Sequence, residues 1–308
     1  MPMTRRKLIR EILFPLLAAL IWGTAFVAQS RAAELLPPMA FSALRSAVAV
    51  AFLTPVARLF RKRAERRGTA RPSDRRALLV GGALMGLTLA VAVNLQQAGV
   101  AGTSVGKAGF ISSFYVVLVP VFGVLLGKRA RLSVWLGVAL AVAGLYLLCL
   151  RPGERVLEGL RATDLYLVGC AVFYAVQILI IDHYVQKADG IALAAVQFAV
   201  AAAVSALLSL CFEAVVWGNV LLCVGPILYV GILSSGVAYA LQILAQEDAN
   251  PAVVTLLFSL ESVFAVLAGA LLLGDRLSGR EYLGCGLMFA AVILAQIPER
   301  GNKMKNEK

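Results

Sequence analysis

Residues 12–30 read ILFPLLAALIWGTAFVAQS, nineteen positions without an Asp, Glu, Lys or Arg. A helix that crosses ~30 Å of hydrocarbon at ~1.5 Å per residue needs about 20 mostly apolar residues. A soluble core helix of that length would carry a polar face, and this stretch has none. The stretches from Ala77 to Gly106 and from Ile191 to Phe212 are equally free of charge. The whole chain of 308 residues is 60% hydrophobic and 15% charged, with a mean hydropathy of +0.85. Soluble domains run at roughly 45–50% apolar and about 25% charged residues. The expected fold class is therefore an all-α polytopic membrane protein.

Working outward from residues 12–30, ten transmembrane helices are expected. The first half places them near 12–30, 39–57, 77–98, 106–127 and 132–150, and the second near 164–182, 191–212, 221–244, 252–274 and 282–298. Short turns such as Leu36-Pro37-Pro38, Trp217-Gly218-Asn219 and Gly274-Asp275-Arg276 separate them. Only Arg58 to Arg76 and Arg151 to Thr163 are longer connections. The basic start (Arg5, Arg6, Lys7, Arg10) before an apolar run has the outline of a signal peptide. Because similar spans follow and each must also be held in lipid, the first is expected to be retained.

With the N-terminus inside, twenty-one Lys and Arg fall on the cytoplasmic side and seven on the other, leaving Arg45 inside a span. The positive-inside rule then puts both termini in the cytoplasm. The net charge of +12 is explained by this bias, and no nucleic-acid partner is expected. The Arg58–Arg76 loop also has the charge to meet anionic membrane lipids. Cys149, Cys170, Cys211, Cys223 and Cys285 lie scattered in apolar stretches, as packing residues rather than a metal site or disulfides. No metal or cofactor is expected. The short loops suit a bacterial inner membrane.

Shifting the second half by 152 positions lays Trp22-Gly23-Thr24-Ala25-Phe26 over Tyr174-Ala175-Val176-Gln177-Ile178, and Arg45 over Gln197. The third spans align with a slightly smaller shift, Asn94-Leu95-Gln96 over Ala240-Leu241-Gln242. An odd number of spans per copy forces the second copy to enter the membrane from the opposite side. The expected organisation is two inverted five-helix repeats, 12–150 and 164–298. Such pairs recur in secondary transporters, with the substrate near the midplane between the repeats.

The residues also carry a family resemblance. Trp22 to Ala28, Pro37-Pro38 and Ala43-Leu44-Arg45 resemble the opening of an EamA-type unit of the drug/metabolite transporter superfamily. Lys107 to Ile111, Tyr115 to Pro120 and Leu125 to Arg129 are similar to its fourth span. Phe258 to Ala265 and Leu271 to Ser278 match the corresponding part of the second unit. Ser262 stands where family members often carry Pro, and Asp275 where they often carry Glu. The absent proline is expected to straighten the ninth span. The resemblance implies a ten-helix carrier that moves small metabolites, often outward, through a cavity between the first, third, fourth, sixth, eighth and ninth spans.

Of seventeen acidic residues only Glu261 falls in mid-span, ~14 Å along its helix. An ionised group there costs at least a few kcal/mol unless it is paired, hydrated or protonated, so a proton-coupling role stands beside one in fixing helix packing. Arg45 has the planar fork to hold a carboxylate or phosphate, against a reading in which it snorkels or pairs structurally. Trp22, Asn94, Gln96, Gln97, Tyr115, Gln177, Tyr239 and Gln242 supply polar or aromatic groups on the other implied cavity spans. As a set they make a substrate-binding lining, although each alone has the alternative of a helix–helix hydrogen bond. His183, the only histidine, and Lys107 read as interfacial residues.

No G-x-x-x-x-G-K-[ST] loop is present, so ATP is not the direct driver. An intramembrane enzyme would need a base or metal site, yet there is no H-E-x-x-H and no nucleophile with a histidine partner. The expectation is a secondary transporter of small organic metabolites such as amino acids, with proton coupling, exchange and facilitated flux all open. A lipid flippase or a non-transporting accessory protein is the alternative. A zwitterionic or weakly polar substrate fits best, carried by a monomer or homodimer.

Overall fold

The computed structural model describes residues 8–69, 73–102, 105–128, 130–149, 162–247, 249–273 and 278–296. The helices are α1 (Ile9–Ala33), α2 (Pro38–Arg66), α3 (Arg75–Val100), α4 (Val105–Ser112 and Tyr115–Leu125) and α5 (Leu132–Cys149), then α6 (Ala162–Tyr184), α7 (Gly190–Phe212), α8 (Val224–Gln246), α9 (Pro251–Phe258 and Glu261–Leu273) and α10 (Gly279–Gln296). Among the described residues eight of these are long and apolar enough to cross a membrane. The other two are α5, apolar but shorter, and α10. Asp275 and the link from Arg151 to Arg161 lie outside the described residues.

Lipid offers backbone groups no hydrogen-bond partners, so a spanning segment must satisfy its own as a helix. The ends are closed by side chains and prolines. Asp189 accepts from the Ala192 N–H, Asn250 from Ala252, and Asp74 from Arg76, at 2.8–2.9 Å. Pro38 and Pro251 open α2 and α9, where a missing N–H costs nothing. Glu213, at the end of α7, reaches across to accept from the N–H groups of Met39 (2.9 Å) and Ala40 (2.8 Å) at the start of α2.

Polarity is distributed inside out. Leu210, Leu271 and Leu221 are 85%, 86% and 75% exposed, whereas Gln29, Gln97, Gln177, Gln197, Gln242 and Gln246 are buried. Water would reverse that arrangement, and a bilayer favours it. The chain is a multi-pass membrane protein.

The packing is reciprocal between the halves. Helix α2 lies on α7 and α5 on α10, each with its own counterpart. Helix α3 packs on α6 and α7 as α8 packs on α1 and α2, and α1 meets α9 as α6 meets α4. A two-fold axis relating the halves produces this pattern. Buried amides tie helices together in both halves: Gln97 donates to the Gln29 carbonyl at 3.1 Å, and Gln246 to the Ile178 carbonyl at 3.0 Å. A Cβ on Gly86 would meet the Gln197 carbonyl and Val200, and one on Gly231 the Arg45 carbonyl and Val48.

The α5–α10 crossing depends on two glycines. A Cβ at Gly144 would sit 2.9 Å from the Gly284 carbonyl, and one at Gly284 2.8 Å from that of Gly144. Without a hydrophobic drive between helices in lipid, such close backbone approach supplies the attraction. Gly284→Leu is expected to destabilise the protein by ~1–3 kcal/mol. Neither helix contributes to the central cavity described below, so ligand affinity measured at low temperature should hardly change. A lower melting temperature with unaltered binding is the expected result; lost affinity in a protein that stays folded would contradict it.

Candidate functional site

Two spans break at their midpoints. Helix α4 is interrupted at residues 113–114 and α9 at 259–260, so that Tyr115 and Glu261 each open a second half-helix. At each break a serine side chain bonds back along the helix: Ser112 Oγ donates to the Ala108 carbonyl (2.7 Å) and Ser259 Oγ to that of Leu256 (2.8 Å). Such back-bonding bends a helix. The expected straightening of the ninth span for want of a proline at Ser262 does not occur. Instead Ser262 Oγ lies 3.2 Å from Ser113 Oγ, stitching one break to the other.

At that junction Ser113 Oγ and Tyr115 OH both donate to Glu261 Oε1, each at 3.2 Å. Glu261 is 6% exposed and looks into a cavity of about 510 Å³ of space free of protein atoms, mouth included. The cavity is lined by Trp22, Phe26, Gln29, Arg45, Gln96, Tyr115, Tyr174, Gln177, Ile178, Ser234, Tyr239, Gln242, Phe258 and Glu261. Both halves contribute, in four repeat-related pairs: Trp22 with Tyr174, Phe26 with Ile178, Gln96 with Gln242, and Tyr115 with Glu261.

The walls are aromatic. The Trp22 ring meets Tyr239 and Phe258 edge-on at 5.2 and 5.1 Å, and its Nε1 donates to the Ser234 carbonyl at 3.3 Å. Ser234 lies in a stretch of wide, π-type turns, Tyr229–Ala238, a distortion frequent at functional sites. Helix α3, its counterpart, is α-helical throughout. Tyr174 OH donates to Gln96 Oε1 at 2.9 Å, and Gln177 Nε2 to Gln197 Oε1 at 2.9 Å. The repeat mate of Arg45 is therefore turned to Gln177 and stays out of the lining. Arg45 itself is buried at 3% exposure with its guanidinium 5.9 Å from the Phe41 ring centre.

Of the residues expected to bind substrate, Trp22, Arg45, Gln96, Tyr115, Gln177, Tyr239 and Gln242 are brought to this one cavity together with Glu261. Asn94 is not. It faces α7, donating to Ser205 Oγ at 2.8 Å and to the Ala90 carbonyl at 2.7 Å. Gln97 is spent on the Gln29 carbonyl. His183 lies against Lys187 and Tyr184 at the end of α6, and its neighbour Asp182 pairs with Lys128. The side chain of Lys107 lies outside the described residues. Phe26, Tyr174, Ile178, Gln29, Phe258 and Ser234 of the lining, with Ser113 beside Glu261, were not among the residues expected to bind. The first three occupy the aligned repeat segments and were legible from that alignment, but no sequence signal marks Ser234. Among the described residues no cluster of His, Cys, Asp and Glu could hold a metal ion.

Comparison with known proteins agrees with this architecture. The model of the EamA-like transporter family matches residues 9–150 and 161–296, and the chain belongs to that family. An uncharacterized transporter of Archaeoglobus fulgidus is 28% identical over 289 residues, covering 91% of this chain and 84% of the relative. A solved crystal structure, 20% identical, superposes over 93% of this chain and 96% of its own with a TM-score of 0.73, which speaks for the fold. The protein is a membrane transporter.

Proposed function

We propose that this transporter exports small organic metabolites, amino acids or related compounds, across the inner membrane by alternating access, with Glu261 as its protonatable group. The observation that carries the reading is the cavity itself. It is built from repeat-related pairs at the point where the broken spans of the two halves meet, the arrangement by which inverted repeats enclose a midplane site. The repeats 12–150 and 164–298 then rock about it, with both termini cytoplasmic. Uptake of labelled amino acids, purine bases and sugars into proteoliposomes, with and without solute preloaded inside, tests it. Counterflow of one class is expected, and flux of none would end the reading.

Two ion pairs join the halves at one end of the bundle: Arg10 of α1 with Glu247 after α8, and Lys128 after α4 with Asp182 of α6. Under the positive-inside orientation both close the cytoplasmic side. Their side chains are partly exposed, so each contributes up to ~1 kcal/mol. Asp182→Asn combined with Glu247→Gln, worth up to ~2 kcal/mol together, is therefore expected to open that side by up to about thirtyfold in population. Labelling of a cysteine placed at Gln242 by an impermeant maleimide applied from the cytoplasmic side should rise accordingly; unchanged labelling would show that the pairs do not gate.

A further inference from the structure

Among the described residues two charged side chains line the cavity; one has hydrogen bonds supplied by the protein, and the other has two N–H groups without a partner. Glu261 is held by Ser113 and Tyr115. Arg45 is 3% exposed, and its Nε and Nη2 have no protein partner. Among the described residues no carboxylate forms an ion pair with it. Its Cζ lies 5.9 Å from the Phe41 ring centre, a cation–π contact that leaves the hydrogen bonds of Nε–H and Nη2–H unmade. Nε–H and Nη2–H form one edge of the guanidinium, the side-on fork that a carboxylate's two oxygens match.

We infer that Arg45 is the anchor of a substrate carboxylate, and that the substrate class is organic monocarboxylates with an apolar body. The inference rests on the transport reading above and narrows it. A buried cation without a counter-charge is unfavourable, and a bound anion removes the penalty. A phosphate ester carries close to two charges and three acceptor oxygens. Among the described residues no second Arg and no Lys lines the cavity to meet them, so a single carboxylate is the better match. The rings of Trp22, Tyr174 and Tyr239 provide for the apolar body. Gln177 and Gln242 also line the cavity, and their side-chain oxygens lack protein partners, so an amino acid's ammonium group is tolerated as well.

The test is a thermal-shift and binding titration of the purified full-length protein with four probes of one skeleton: 3-phenylpropionate, phenylalanine, phenethylamine and 3-phenylpropionamide. The two carboxylates are expected to stabilise the protein, and the amine and amide to bind roughly tenfold or more weaker. In Arg45→Gln the acid should lose that advantage and fall to the level of the amide, while Arg45→Lys, which keeps the charge without the fork, retains part of it. The inference is overturned if neither carboxylate binds, if the amine or amide binds as well as the acid, or if Arg45→Gln preserves the preference. Proteoliposome flux of the same probes separates the two readings. Movement of the amine or amide but not the acid removes the carboxylate anchor and leaves the transporter standing, whereas no flux of any solute class removes both.

Discussion

Glu261→Gln is expected to abolish solute accumulation driven by a pH gradient while leaving counterflow exchange intact. Glutamine keeps the shape of the side chain and an oxygen to accept from Ser113 and Tyr115, but it cannot change charge. An ionised carboxyl at this depth is costly by at least a few kcal/mol, so gain and loss of a proton are tied to which side the cavity faces and what it holds. Without that linkage the gradient has nothing to act on, and accumulation falls to passive equilibration. A purely packing role predicts something else: gradient response retained, with at most a small drop in melting temperature. Flux into vesicles with an imposed pH step, run beside counterflow at equal pH, separates these. A wild type indifferent to pH would remove the proton role and spare the fold.

The second large effect is expected at Gly23. A Cβ built there would lie 2.5 Å from the Glu261 carbonyl, 2.7 Å from Phe264 Cβ and 2.8 Å from the Ala265 nitrogen. Two of those three atoms are backbone and cannot rotate aside. Gly23→Leu therefore drives α1 away from α9 just where Trp22 and Glu261 enter the cavity, and the closer approach than at Gly284 puts the cost at or above the upper end of the ~1–3 kcal/mol of ordinary overpacking. Transport should be lost and the melting temperature should fall sharply, whereas Gly218→Leu, where nothing lies within 4 Å, should change neither. Wild-type flux in Gly23→Leu would mean that α1 and α9 do not meet as closely in the working states.

The repeat explains why some of the site was legible in advance and some was not. Aligning Trp22 with Tyr174 and Gln96 with Gln242 marks positions that the two-fold relation brings to one cavity. Arg45 and Glu261 stood out because a charge inside a span is rare for energetic reasons. Asn94 carried the same polar signal, yet its side chain turns to Ser205, since one residue along a helix changes the face by ~100°. The break in α9 at 259–260 forms without a proline at 262, so the missing proline was no guide to the course of that helix.

The membrane class and the succession of apolar segments were determined by the sequence alone. Apolar length against bilayer thickness is a local property. Tertiary structure decided which polar groups face inward together: that Glu261 meets Ser113 and Tyr115 across two broken helices, and that Arg45 reaches the same cavity with its guanidinium edge unpaired. Those facts depend on how helices distant in sequence cross and rotate against one another. In lipid that is set by close packing at small residues such as Gly23 and Gly284, not by any pattern within a single span.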